Sequence, residues 1–229
     1  MPEPTIFDDS TRSYCYLSRV ARFRRLPDGA RFAVLTNDGE AMALEVRFVA
    51  AESIRVRCRR VDDGPLGVGA SEPVAEVSVE AREGRIVMRS RALELRVVRR
   101  PFHYGVFDFD GRNLLVEQIG DVTPTRLVSL PLGYSRDVSG RIAFHESFEL
   151  EPGERLQRPT AVGATIPSYV SSRGYGAFLN HARADFALGT ASAITVSFRV
   201  DDPYLDYIVV FGKDAGEMVA RYAEISDRR

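Results

Sequence analysis

Apolar and polar residues alternate with a period of two along much of this chain, and this pattern most constrains its fold. The alternation is clearest in residues 42–48, 54–59, 77–79, 86–88 and 93–98. Successive side chains of a β-strand point to opposite faces, so such runs predict strands buried on one face. About fifteen candidate strands follow one another at the spacing typical of an all-β sandwich or barrel.

The turns between these runs support antiparallel pairing. Asp38-Gly39 lies between residues 31–36 and 42–50, and Asp110-Gly111 separates two further runs. Asp-Gly between alternating segments predicts a hairpin, because glycine adopts the positive φ that a type I′ turn requires. Glu83-Gly84 and Ser139-Gly140 are weaker versions of the same signal. The sequence therefore predicts an all-β fold, a large two-sheet antiparallel sandwich.

A single segment at the end of the chain departs from the β pattern. Asp214 can cap a helix with Glu217 three residues later, and Met218, Tyr222 and Ile225 fall on one helical face. We therefore predict one C-terminal α-helix, docked either on the sandwich or in a homodimer contact. We also expect it to be the element least protected against hydrogen exchange.

Composition excludes several classes of function. With 229 residues, 45% hydrophobic and 28% charged, the chain is expected to be globular. Its 31 basic and 32 acidic residues cancel, so it carries no global attraction for nucleic acid. No apolar run is long enough to span a membrane, and the N-terminus shows no signal peptide. We therefore expect a cytoplasmic protein that binds neither nucleic acid nor membrane.

The residues that commonly bind metals are few. Two cysteines, Cys15 and Cys58, lie in apolar strand-like segments and are expected to be free thiols, with a single disulfide as the alternative. The three histidines lack the spacing of zinc ligands. We expect no cofactor and no metal.

The last third of the chain carries a family resemblance. Residues 167–181, which contain Ser-Ser-Arg-Gly-Tyr-Gly, resemble a hallmark stretch of family-31 glycoside hydrolases, the retaining α-glucosidases and α-xylosidases. Residues 150–156 are similar to the family's Gly-Glu-Arg strand, and residues 205–212 to the strand that closes its sandwich. The strand, proline and hairpin within residues 93–112 resemble the family more loosely.

The resemblance implies that the chain is the N-terminal, mutarotase-like β-sandwich of such an enzyme. In the family this domain supports a catalytic (β/α)8 barrel and the substrate entrance, so the implied partners are that barrel and an α-linked oligosaccharide. The implied organisation is an N-terminal segment at 1–18, the sandwich at 19–212, and a helix leading toward the barrel at 213–229.

Two departures from the family pattern bear on activity. Residues 157–164 join the flanking strands almost directly, where the family has a long loop that reaches the sugar. The chain also ends where the barrel would begin, and the family's nucleophile and general acid are carboxylates of that barrel. No position matches either motif, so no catalytic residue is assigned and the chain alone is expected to be inactive.

The Gly-Tyr-Gly turn contains the candidate substrate-binding residues. Arg173 and Tyr175, with Tyr169 nearby, could contact a sugar. The alternative is a structural hairpin in which Gly174 and Gly176 both adopt unusual φ angles while the tyrosine packs and the arginine stays on the surface.

Two further functions remain open. A mutarotase-like epimerase would use a histidine and a carboxylate that converge on one pocket. The candidates are His145 with Glu146 and His181 with Asp185, although adjacent residues of a strand face opposite ways and surface or capping histidines are the simpler interpretation.

A stand-alone carbohydrate-binding module would instead present exposed aromatic rings. The chain has no tryptophan, which leaves Tyr134, Tyr169 and Tyr204 as candidates. A row of exposed tyrosines on one sheet face would favour this function.

Overall fold

The chain folds as an all-β protein with one C-terminal helix, as the sequence predicts. The computed structural model describes Phe7 and residues 11–63, 76–117, 121–123, 126–159, 166–188 and 195–227. Within these residues the chain forms nineteen strands and a single α-helix.

The strands are numbered in chain order. They are β1 (Ser13–Leu26), β2 (Gly29–Thr36), β3 (Ala41–Ala50), β4 (Ser53–Arg60), β5 (Ser78–Arg82), β6 (Arg85–Arg89), β7 (Glu94–Arg99), β8 (Phe102–Phe107), β9 (Asn113–Val116), β10 (Asp121–Thr123), β11 (Arg126–Ser129), β12 (Gly133–Arg136), β13 (Ile142–Glu149), β14 (Leu156–Gln157), β15 (Ser168–Ser171), β16 (Tyr175–Leu179), β17 (Asp185–Leu188), β18 (Thr195–Val200) and β19 (Tyr204–Phe211). A short 3₁₀ turn at Val61–Asp63 follows β4, and α1 spans Ala215–Ser226.

Twelve of these strands form one curled sheet, and five others form a second sheet. The large sheet has the order β14-β15-β16-β19-β4-β3-β2-β1-β12-β13-β18-β17, and the second runs β5-β6-β7-β8-β9. Strand β1 joins the two halves of the large sheet, because Ser13 to Tyr16 pair with β12 and Leu17 to Leu26 pair with β2. Register shifts in the second part of β1 are bulges, which bend a strand and increase its twist.

The inner faces of both sheets form one apolar core. Across β3 and β4, Leu44 pairs with Cys58 and Val46 with Val56, and all four side chains are buried. The alternation is therefore confirmed as one buried face in β2, β4 and β7, whereas β13, β15, β16 and β19 are buried on both faces. The hairpin turns are confirmed too, with Gly39 at φ 93° and Gly111 at φ 80°.

The outer face of β2, β3 and β4 is less solvated than the alternation alone predicts. Glu45 is only 1% exposed, and it accepts hydrogen bonds from Arg31 and Arg47, each with an Nε to carboxylate distance of 2.9 Å, and from Arg57. One carboxylate thus joins three guanidinium groups from three adjacent strands. The aliphatic parts of these arginine side chains cover the outer face of the sheet.

Helix α1 docks on its own chain. The Asp214 carboxylate accepts the Glu217 N–H at 2.9 Å, which confirms the predicted cap. The predicted stripe of Met218, Tyr222 and Ile225 is buried against the outer faces of β15, β16 and β19. The Tyr222 ring stacks on Phe178 at a centroid distance of 4.4 Å. The stripe is therefore covered without a second subunit.

Replacing Tyr222 by alanine is expected to lower the free energy of unfolding by about 3 kcal/mol, since it leaves a cavity between the helix and the sheet. Glu224→Ala, on the exposed side of the same helix, is the matched control and should cost about 0.5 kcal/mol or less. Urea unfolding measures both variants. Equal midpoints for the two would show that the helix contributes nothing to the folded state.

Both cysteines are free, as the sequence predicts. Cys58 is fully buried, while Cys15 is partly exposed and its thiol donates to Asp38 at 3.1 Å. Burial, with the nearby Asp38 carboxylate, raises the pKa of Cys15 to about 11, so this thiol stays protonated at neutral pH.

No helix in the described part of the chain has the length and apolar character needed to cross a lipid bilayer.

Candidate functional site

The turn between β15 and β16 lies beside the start of α1. Gly174 has φ +87°, and its carbonyl accepts the N–H of Gly212 at 3.0 Å, at the point where β19 gives way to the helix. Gly176 differs from the prediction, because it is a regular strand residue without a positive φ. A side chain there would meet Val170 Cγ1 at 2.9 Å and Phe178 Cε2 at 3.0 Å, so packing is the reason that only glycine fits.

The buried carboxylate of Glu154 stabilises this turn through hydrogen bonds to residues on either side of it. The Glu154 side chain is fully buried, and it accepts hydrogen bonds from the hydroxyls of Ser171 and Tyr175, the latter at 2.8 Å. The backbone of Arg155 pairs with Ser172, with an N to O distance of 2.9 Å. The two segments that carry the sequence resemblance, at 150–156 and 167–181, are therefore in direct contact.

The candidate substrate-binding residues are mostly inside the protein. Tyr169 and Tyr175 are 0% and 1% exposed, and their rings meet edge to face with centroids 6.2 Å apart. Arg173 is half-buried rather than on the surface, and its guanidinium donates to the carbonyl of Asn113 and lies 3.7 Å from Glu151. Contact of these three side chains with a sugar stays a prediction that their burial does not favour.

His145 and Glu146 are buried, so the expectation of a surface histidine is wrong. Both are 0% exposed, and they point to opposite faces of β13 as expected. His145 packs among the rings of Phe7 and Tyr14, with centroids 5.4 and 5.8 Å away. Burial lowers the pKa of His145 to about 4, so the imidazole is neutral at pH 7.

Glu146 belongs to a polar cluster in the middle of the sandwich. The Tyr104 hydroxyl donates to Glu146 Oε1 and also contacts the Tyr207 hydroxyl. Nearby, the Glu117 carboxylate accepts the N–H of Tyr104 at 3.1 Å and of Leu132 at 2.7 Å. These groups come from β8, β13, β19 and the segments beside β9 and β12, so the cluster ties both sheets together.

Burial determines the protonation of this cluster. It raises the pKa of Glu146 to about 8, against the opposing effect of the Tyr104 and Tyr207 hydroxyls. Burial, and then the charge of Glu146, also raise the pKa of Glu117, while its two amide donors favour ionisation. Near neutral pH the pair is therefore largely protonated, which avoids two buried negative charges.

The geometry of the cluster does not suit acid–base catalysis. Glu117 and Glu146 are both 0% exposed, so a sugar does not reach them in this conformation. His145 lies on the other face of β13, and it does not converge with Glu146 on one pocket as sugar ring opening would require. The arrangement instead stabilises the interior of the sandwich.

The second predicted histidine pair is also different in the structure. His181 Nδ1 lies 2.7 Å from Asp202, and Nε2 accepts the N–H of Asp206 at 3.0 Å. Asp185 pairs instead with Arg199 at 2.7 Å. Because Nε2 accepts, Nδ1 carries the proton and donates to Asp202, which is the expected capping role on a buried ring.

The tyrosines do not form an exposed row among the described residues. Tyr134 is buried and its hydroxyl donates to Glu40, and Tyr169 is buried against the rings of Tyr175 and Phe186. Tyr204 alone of the three is exposed, at 44%. The feature that would favour a stand-alone carbohydrate-binding module is therefore missing from the described residues.

Comparison with known proteins shows similarity in sequence over a short stretch and similarity in fold over most of the chain. No protein-family model matches the chain. The α-xylosidase XylQ of Lactiplantibacillus pentosus is 34% identical over 62 residues, which are 27% of this chain and 8% of the xylosidase. The cycloalternan-forming enzyme of Listeria monocytogenes, solved with a pentasaccharide substrate, superposes with a TM-score of 0.75 at 18% identity. That match covers 93% of this chain and 22% of the enzyme.

A second solved structure belongs to the family named by the resemblance. The GH31 dextranase of Flavobacterium johnsoniae, complexed with glucose, has a TM-score of 0.64 at 17% identity and covers 91% of this chain and 28% of the dextranase. The chain thus spans less than a third of each of these relatives. The two superpositions show that the chain shares the fold of one part of each of these enzymes. The family-31 resemblance of the sequence thus agrees with a short stretch of similarity to α-xylosidases and with the fold of a GH31 enzyme.

Proposed function

We propose that the chain is the non-catalytic N-terminal β-sandwich of a family-31 retaining α-glycosidase, where it supports the barrel and the substrate entrance. The observation that carries the proposal is the fold likeness, which takes in 93% of this chain but only 22% of a larger saccharide-processing enzyme. A domain of that extent is one part of such an enzyme. Hydrolysis by the family needs two carboxyl groups across the scissile bond, and we infer that another part of the enzyme supplies them.

The site geometry supports a structural role. The Glu154 side chain is fully buried and accepts hydrogen bonds from the hydroxyls of Ser171 and Tyr175. Such groups rigidify a domain when their hydrogen bonds are satisfied. The Gly174 turn also contacts Gly212 directly before α1, so a rigid sandwich fixes the direction in which the helix leaves.

We further propose that residues 213–229 lead toward the barrel. Helix α1 buries only one face on the sandwich, whereas Ala220, Ala223 and Glu224 are exposed on its other side. Its remaining faces are free to contact a following domain. An α-linked oligosaccharide would then be bound by the assembled enzyme.

The chain by itself is expected to show no hydrolysis of nitrophenyl α-glucoside or α-xyloside above buffer. The reason is that the clustered carboxyls of Glu117 and Glu146 are buried and that Asp185 pairs with Arg199 rather than with His181. Glu117→Gln and Glu146→Gln are the matched controls, prepared from the same host, and should give the same background. Turnover by the wild type that disappears in either variant would contradict the proposal.

Support of a barrel is tested in a polypeptide that carries this domain together with a family-31 barrel. Gly174→Val is expected to lower both the melting temperature and the activity of that polypeptide, although it touches no substrate. Unchanged activity with an unfolded sandwich would show that the barrel does not depend on this domain.

A further inference from the structure

A pocket of about 630 Å³ opens where the large sheet meets the second sheet. Its walls are the bend of β1, the turn between β2 and β3, and the connection from β7 to β8. The volume lies within the range of about 300–1,000 Å³ that is typical of small-molecule sites. The pocket is separate from the Gly174 turn, the buried glutamates and both histidine pairs, since none of these residues lines it.

One wall of this pocket is fixed by reciprocal hydrogen bonds. Asn37 Oδ1 accepts the N–H of Tyr16 at 2.9 Å, and the Tyr16 carbonyl accepts the N–H of Asn37 at 2.9 Å. Asp38 is engaged as well, by the Thr36 hydroxyl and the Cys15 thiol. The Thr36 hydroxyl lowers the pKa of Asp38, so this side chain is a carboxylate at neutral pH. The side-chain acceptors of the wall are therefore already occupied.

The unused hydrogen-bonding capacity of the pocket consists of donors. Arg19 and Arg100 both line it, and the guanidinium of neither forms a hydrogen bond or an ion pair with another described residue. Asn37 Nδ2 and the Tyr16 hydroxyl are likewise without a partner within the described part of the chain. Two arginines and one aspartate line the pocket, so the lining carries a net positive charge.

The floor of the pocket is apolar. Leu17 and Phe102 are buried there, and Pro101 and Pro131 complete it. An apolar floor beside planar donors is suited to a ligand with a C–H face and an acceptor-rich end. Guanidinium groups bind carboxylate and phosphate through paired, charge-assisted hydrogen bonds.

We propose that this pocket binds an anionic saccharide, whose carboxylate or phosphate is held by Arg19 and Arg100 and whose ring lies on the apolar floor. The ligand class is a uronic acid residue or a sugar phosphate. This site would be separate from any barrel active site, and it does not depend on the role of the domain in a family-31 enzyme.

The test is titration of the whole, ¹⁵N-labelled chain with glucuronate, glucose 6-phosphate, glucose and inorganic phosphate. At least one anionic sugar is expected to shift the amide signals of Asn37 and its neighbours until the site is saturated. The tighter binder of glucuronate and glucose 6-phosphate identifies whether the site prefers a carboxylate or a phosphate. Glucose and inorganic phosphate should bind at least about tenfold more weakly, since glucose lacks the anionic group and phosphate lacks the sugar ring.

Variants locate the site. Arg19→Gln and Arg100→Gln should each weaken binding of the anionic sugar about tenfold, whereas Arg22→Gln, exposed on the same strand outside the pocket, should leave it unchanged. Circular dichroism confirms that each variant is folded. Absence of binding by both anionic sugars, binding of glucose or phosphate with equal affinity, or equal effects of all three variants would each overturn the proposal.

Discussion

Replacing Gly174 by valine is expected to lower the free energy of unfolding by about 4 kcal/mol or more. A residue other than glycine at φ +87° costs about 1–2 kcal/mol, and more when it is β-branched. In addition, a Cβ at this position would lie 2.7 Å from the carbonyl oxygen of Gly212. That oxygen belongs to backbone held between β19 and α1, so it cannot move away without disturbing both elements.

Gly140 provides the matched control for this prediction. It has nearly the same φ, +85°, but no atom lies within 4 Å of its added Cβ. Gly140→Val should therefore cost only the conformational part, and the difference between the two variants measures the clash. Arg173→Ala should cost about 1 kcal/mol, the value of its bond to the Asn113 carbonyl. Urea midpoints for Gly174→Val that match the wild type would show that the turn is not constrained as described.

Raising the pH from 6.5 to 8 is expected to destabilise the protein by about 2 kcal/mol. In the native state burial raises the pKa of Glu146 to about 8, against an ordinary value of 4.5, so between these values the native state binds the extra proton. The contribution of the Glu146 proton to the free energy of unfolding is therefore fully present below pH 4.5 and is lost as the pH rises through 8. Burial lowers the pKa of His145 from 6.5 to about 4, so its effect, which is opposite in sign, falls mostly below pH 6.5 and offsets about 0.4 kcal/mol above it.

Urea unfolding at pH 6.5, 7.2 and 8 in one buffer series measures this slope. Glu146→Gln should make this slope markedly shallower, because the variant lacks the titrating carboxyl. Glu149→Gln, exposed on the same strand, is the matched control and should leave the slope unchanged. The thiols do not titrate in the native state over this pH range, because both cysteines have their pKa raised above the ordinary value of 9.0. A wild type whose stability is flat or rises over this range would contradict the assignment of protons to the cluster.

The long, half-buried strands and the helix could be predicted from the sequence. Each of β3, β4 and β7 repeats the alternation over six or more residues, and α1 has both a cap and a stripe. Short strands such as β11 and β14, of four and two residues, carry too few positions for any periodicity. Their pairing depends on neighbouring strands rather than on their own sequence.

The buried polar residues were the harder part to predict. A glutamate at an inward position, such as Glu146, breaks the apolar run, and this is the only local signal of the cluster. Nothing near it in sequence identifies Tyr104 or Tyr207, which come from strands far along the chain. For Glu154 a signal existed, because its Gly-Glu-Arg segment is part of the family resemblance. The curled sheet that brings such residues together is set by tertiary pairing, which local patterns do not encode.

The position of β19 in the large sheet has a consequence for biosynthesis. Strand β4 has β3 on one side and β19 on the other, and the ion pair between Arg55 and Asp206 spans 151 positions of the chain. During translation the first four strands emerge as a meander, with one long edge of β4 unpaired until the last strand leaves the ribosome. Pairings of such high sequence separation form slowly. A ribosome-bound chain is therefore exposed to edge-to-edge association until β19 emerges, and chaperones that mask strand edges during translation should raise its yield.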